Sequence, residues 1–161
     1  MDRQCLVQKR IGQLLVGVAD LHERGYGYIH LFGVSTFAAM LAMRRGLNVE
    51  LAGVAGLLHD IATYTSGSSE DHARRSAEQA RLILDDMAVF TAEEVDVMCT
   101  AIANHSDKSE VHDAFSELLK DADVLHHSLY AATIINPAVR LPRIEALCVE
   151  LSLAWPGMTA L

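Results

Sequence analysis

The chain has 161 residues, 51% of them apolar and 21% charged, with a net charge of −8. That length suits one domain burying roughly two-thirds of its unfolded surface, and the apolar share excludes a disordered chain. The acidic balance argues against broad DNA or RNA binding, which needs clustered Lys and Arg, but it leaves room for a small anionic substrate where a bound metal reverses the local field.

The N-terminus, MDRQCLVQKR, has no apolar signal region, and no apolar run reads as approaching the roughly 18–20 residues of a membrane span. Cys5, Cys99 and Cys148 are far apart and form no CxxC pair, which fits buried thiols in a reducing compartment. The expectation is a cytoplasmic protein without a membrane partner.

Residues 4–24 carry a helical stripe of Leu6 or Val7, Ile11, Leu14, Leu15, Val18 and Leu21, which Gly25 and Gly27 are expected to break. A second helix is predicted from about Ile29 to Arg45, ending at Gly46, and Asn48 caps a third over Val49 to Ile61. TYTSGSSEDH reads as a loop, with Ser68 and Asp71 as a capping box for a fourth helix whose stripe is Ala73, Ala77, Ala80, Leu84 and Met87. Thr91 and Glu94 form a second box, opening a helix striped by Val95, Met98 and Ile102. A sixth helix is expected from about His112 to Ile135, and a last one begins near Pro142 and ends before Pro156. No segment alternates like a strand. The prediction is an all-α bundle of six or seven helices in a single domain, 1–161. The C-terminal stretch IEALCVELSLAWPGM could cap the core or make a homodimer surface.

Polar residues fall in unexpected places on these stripes. His30 shares a face with Val34, Phe37 and Leu41; His105 continues the stripe Val95, Met98, Ile102; Asp123 lies one turn after Leu119; His59 follows Ala52 and Ala55. His72 stands beside the Ala73 stripe. A lone histidine on an apolar face is ordinarily a satisfied core residue, and a lone His-Asp pair carries little information. His112-Asp113 repeats the pair at a polar helix start. The joint pattern is another matter. Histidines and acids converge on the interior of a bundle, and of thirteen Lys and Arg only Lys108 and Lys120 are near them in sequence. Asp60 ends the apolar run AGVAGLLHD, where an unpartnered carboxylate is costly. One or two divalent metals are the economical partner, because imidazole and carboxylate are their ligands and bundles build such sites from facing helices.

In order along the chain, YIHLFGVSTFAAMLA, AGVAGLLHDIA, DHARRSAEQARLIL, AIANHSDKS and LLKDADVLHH resemble the H…HD…H…H…D signature of the HD-domain superfamily of metal-dependent phosphohydrolases. The likeness covers about residues 28–130 and is similar to small stand-alone hydrolases of the diadenosine-tetraphosphate-cleaving type. It implies an HD helical bundle in which His30, His59, Asp60 and Asp123 bind one metal. Asp60 bridges to a second metal held by His72 and His105. A metal-activated hydroxide then attacks a phosphate ester or anhydride in a small molecule, a nucleotide or dinucleotide being the expected substrate. Nitrogen-rich ligation favours Fe, Mn, Co or Ni over Mg.

Relatives often continue the pair as HDIxK, with a lysine for substrate phosphate, whereas here the chain reads HDIATYTSG. Lys108 and Lys120 are the candidate replacements. Arg74 and Arg75 read as a solvated helix face. His126 and His127, three and four residues after Asp123, could hydrogen-bond it or act on the leaving group, with His126 the candidate for that role. Tyr26, Tyr28 and Tyr64 are expected in loops near the mouth of the site. The alternatives are a diiron oxygenase on the same ligands and a non-catalytic sensor module.

Overall fold

Short polar side chains decide where this chain turns into helix. The computed structural model describes residues 2–131 and 137–154, and among them the helices are α1 (Arg3–Val16), α2 (Leu21–Arg45), α3 (Val49–Leu58), α4 (Ile61–Ser66), α5 (His72–Met87), α6 (Ala92–Asn104), α7 (Ala114–Ala131) and α8 (Pro137–Leu151). No strand occurs among the described residues, so the fold is the expected all-α bundle, with seven longer helices and the six-residue α4. Asp2, Asp20 and Asn48 cap α1, α2 and α3 by accepting from backbone N–H groups at 2.8–3.1 Å. Thr91 and Glu94 make the predicted reciprocal box on α6, at 3.3 and 2.9 Å.

Several boundaries differ from the sequence reading. The first helix stops at Val16, and Asp20 starts α2 before Gly25 and Gly27, so neither glycine breaks a helix. Gly27 is a packing position: a Cβ there would sit 3.1 Å from side-chain atoms of both Leu15 and Tyr64. The third helix ends at Leu58, because Asp60 leaves helical geometry at φ −119°, ψ 18°, and α4 follows where a loop was expected. Ser68 and Asp71 form no box. Asp71 has φ 47°, gives α5 no side-chain cap and pairs instead with Arg74. Pro137 opens α8, where a missing N–H costs little, and Pro142 lies inside that helix. The predicted end of the sixth helix at Ile135 falls outside the described residues, whereas α8 ends at Leu151, before Pro156 as expected.

α2 is long and apolar enough by length and composition to cross a membrane, contrary to the sequence expectation. In the bundle it is the central helix, in contact with α1, α3, α4 and α7, and it buries Leu31, Val34, Ala38 and Leu41. α3 presses closest to it. A Cβ on Gly56 would lie 2.6 Å from Ser35 Cα, and Ser35 Oγ donates to Gly53 O at 2.8 Å. α8 buries Ile144, Leu147 and Cys148, while Val149 and Leu153 stay exposed. Of the three free thiols Cys99 and Cys148 are buried, but Cys5 is exposed.

Candidate metal centre

The bundle delivers seven of its ligand-type side chains to one place, four of them from helix ends. His30 lies inside α2; His59 and Asp60 occupy the α3–α4 junction; His72 opens α5; and His105 caps the C-terminal end of α6. Asp123 comes from α7, together with His127 on the same face four residues on.

Local hydrogen bonds set the tautomers. The Nδ1–H groups of His59, His72 and His105 donate to the carbonyls of Gly56, Ser69 and Ile102, each three residues back, at 2.8, 3.1 and 2.7 Å. Each Nε2 is left with its lone pair, the form that binds metal. His30 is held differently, with its Nδ1 3.0 Å from Nδ1 of His126.

The free ends meet around Asp60. His30 Nε2 lies 3.0 Å from His59 Nε2, 3.3 Å from Asp60 Oδ2 and 3.5 Å from Asp123 Oδ1. The other Asp60 oxygen, Oδ1, lies 3.2 Å from His105 Nε2 and 3.6 Å from His72 Nε2. His127 Nε2 is 3.3 Å from Asp123 Oδ1. The geometry thus yields metal-competent groups of His30, His59 and Asp60, of His30, Asp123 and His127, and of Asp60, His72 and His105.

Asp60 Oδ1 and Asp123 Oδ1 are buried and have no hydrogen-bond partner. Lone pairs of imidazole and carboxylate directed into one space repel, and orphaned buried oxygens are costly. A divalent cation resolves both problems, so the residues present fit one. Burial alone would raise both carboxyl pKa values. At Asp60 His59, His105 and His30 outweigh burial through the Nε2 protons that a bound metal would displace, and at Asp123 the Lys108 ammonium does so together with His59 and His30. Both groups are therefore held well below the usual carboxylate range, ready as anionic ligands. Burial drives His126 and His127 down to about 4, against the pull of Asp123, leaving both neutral.

Not every candidate joins this centre. Lys108 does: its Nζ is 2.7 Å from Asp123 Oδ2 and 2.8 Å from the His105 carbonyl. Lys120 does not. It is fully buried, but its Nζ is bound to Glu110 O, His112 Nδ1 and Glu117 Oε1 at 2.6–2.9 Å, so it has no donor to offer a substrate. His126 is placed behind His30, stacked on Tyr130, which removes it from the leaving-group role. Arg74 is exposed and pairs with Asp71 and Glu78, as a solvated face would. The tyrosines lie in helices: Tyr26 stacks on His30 with centroids 5.9 Å apart, Tyr64 is buried, and Tyr28 donates to Gly12 O.

The second His-Asp pair is structural. Asp113 accepts from Phe115 N and Ser116 N, both at 3.0 Å, and so caps α7. Asp113→Ala is expected to cost about 1 kcal/mol of stability, read from urea denaturation, while bound metal is unchanged. Loss of metal in that variant would assign metal binding to His112-Asp113 instead of His59-Asp60.

The HD-domain family model matches residues 27–128, from α2 into α7 and across every residue of the cluster. The chain belongs to the HD-domain family. Nothing matches among curated proteins or among solved structures. HD-domain membership and the His/Asp cluster together fit divalent metal binding and a metal-dependent, hydrolase-type function.

The HD centre opens into a cavity of about 270 Å³ lined by Asp60, His72, His105, Lys108, Asp123 and His127, with Thr63, Ser69, Ser106 and Arg140. Thr63 and Ser69 also line a larger neighbouring cavity of about 500 Å³ between the α1–α2 turn and α4. Thr63, which stands where HDIxK has its lysine, has a buried hydroxyl with no partner. His127 joins the ligand-type cluster through its i+4 spacing from Asp123, a signal present in the sequence, whereas nothing in the sequence around Arg140 marks it for this cavity.

Proposed function

We propose that this protein is a metal-dependent phosphohydrolase that cleaves a phosphate ester or anhydride in a small molecule, of nucleotide or dinucleotide class. The observation that carries the reading is the division of Asp60, with one oxygen toward His30 and His59 and the other, orphaned, toward His72 and His105. That division suits two ions sharing one carboxylate, with His30, His59, Asp60 and Asp123 holding the first and Asp60, His72 and His105 the second. Bound there, Fe, Mn, Co or Ni would supply a water of lowered pKa and neutralise charge developing on phosphoryl oxygens.

The protein's own groups supply the rest. Carbonyls at Gly56, Ser69 and Ile102 hold the imidazoles in the ligating tautomer. Lys108 neutralises Asp123 and brings an ammonium to the cavity wall. The larger cavity beyond Thr63 and Ser69 has room for the remainder of a nucleotide-sized substrate. The net charge of −8 favours a small molecule over a nucleic-acid polymer.

The test is elemental analysis of the purified protein followed by phosphate release from a panel of nucleotides and dinucleotides. Close to two equivalents of metal per chain with phosphate release is the expected result. Two irons with mixed-valent spectra and substrate-dependent oxygen uptake would replace this reading with the oxygenase. No metal after soaking with Mn and Fe would leave a sensor module.

A further inference from the structure

Arginines in this protein are almost all spoken for. Arg3 binds Glu50 and Glu94, Arg45 binds Asp121 and Glu150, and Arg143 binds Glu117 and Asp121. Arg140, one turn before Arg143 on α8, has no such partner. Its Nη1 is buried with no hydrogen-bond partner, and among the described residues no carboxylate lies within ion-pairing distance of it. A chain with 21 acidic and 13 basic residues has ample carboxylates to pair a stray guanidinium. A buried donor atom without a partner is destabilising by itself, and one that faces a cavity marks a place where a ligand can complete the bonding.

Arg140 lines the same cavity as Asp60, His72, His105 and Asp123. Lys108, the other cation in that wall, is already committed to Asp123 and the His105 carbonyl. The guanidinium is the cation of that wall with no acidic partner, and its planar fork matches two oxygens of a phosphoryl group. α8 lies beyond the residues matched by the HD-domain model, so this cation comes from a part of the chain outside the shared motif.

We propose that Arg140 is a substrate-binding residue that grips non-reacting oxygens of the phosphoryl group, making the cavity selective for a substrate with a terminal or bridging phosphate. The inference rests on the phosphohydrolase reading. It also supplies the cation that the HDIxK position, here Thr63, lacks.

The test uses Mn-loaded wild type, Arg140→Ala and Arg140→Lys. Inorganic phosphate is titrated into each calorimetrically, with metal content and melting temperature measured alongside. Arg140→Ala is expected to keep its metal and bind phosphate roughly ten- to a hundred-fold more weakly, with partial recovery in Arg140→Lys. Should the alanine variant be poorly folded, the lysine variant carries the test, because the loss of a bidentate fork still weakens phosphate binding several-fold. Equal phosphate affinity in all three proteins overturns the clamp and leaves the phosphohydrolase reading standing. Loss of metal in the folded alanine variant also overturns it, by making Arg140 a support of the metal centre. A metal-loaded wild type that binds no phosphate overturns both readings together.

Discussion

Asp60→Ala is expected to strip both histidine groups of metal in one step, with metal affinity and phosphate release each falling by at least about a hundredfold. Changes to groups that merely support a ligand cost ten- to a hundred-fold, roughly, so losing a carboxylate that faces both groups must cost no less. The expectation follows from its two oxygens, 3.3 Å from His30 Nε2 and 3.2 Å from His105 Nε2. No other carboxylate lies within ion-pairing distance of both His30 and His105 among the described residues. His72→Ala makes the useful comparison, since it touches one group only and should lower the metal content by about one equivalent. Metal content measured on folded protein, with helicity checked by circular dichroism, decides the matter. Full metal content in Asp60→Ala would sink the centre as described.

Gly56→Ala is expected to destabilise the protein by roughly 2 kcal/mol or more, although alanine is the better helix former by about 1 kcal/mol. The added methyl would lie 2.6 Å from Ser35 Cα and 2.7 Å from Ser35 N. These are backbone atoms of α2, so no side-chain rotation relieves the clash and one helix must move off the other. The Gly56 carbonyl also accepts from His59 Nδ1, so the same movement pulls His59 away from His30. Metal affinity should therefore fall with stability. Gly25→Ala supplies the contrast. Nothing lies within 4 Å of its added methyl on the exposed side of α2, and a gain of about 1 kcal/mol is expected. Urea denaturation of both variants reads the difference, and a Gly56→Ala protein as stable as wild type would show that the helices are not in that contact.

The sequence by itself determined most of what depends on near neighbours. Asn48 as the cap of α3 and the Thr91–Glu94 box of α6 were legible because a cap is made between residues two or three apart. The all-α class followed from helical periodicity. The stripes put His30, His105 and Asp123 on core-facing positions, since a helix face is fixed by counting. Tertiary structure alone decided the rest, for the opposite reason. Gly27 reads locally as a breaker, but its role is set by Leu15 and Tyr64, which approach from other helices. Lys120 and Lys108 look alike in sequence. One is consumed by Glu117 and the Glu110 carbonyl, while the other reaches Asp123 from the α6–α7 loop. His126 and His127 are adjacent in sequence, yet a turn of about 100° per residue sends one behind His30 and the other toward Asp123. Arg140 carries no local signal at all: its lack of a partner is a property of everything packed around it.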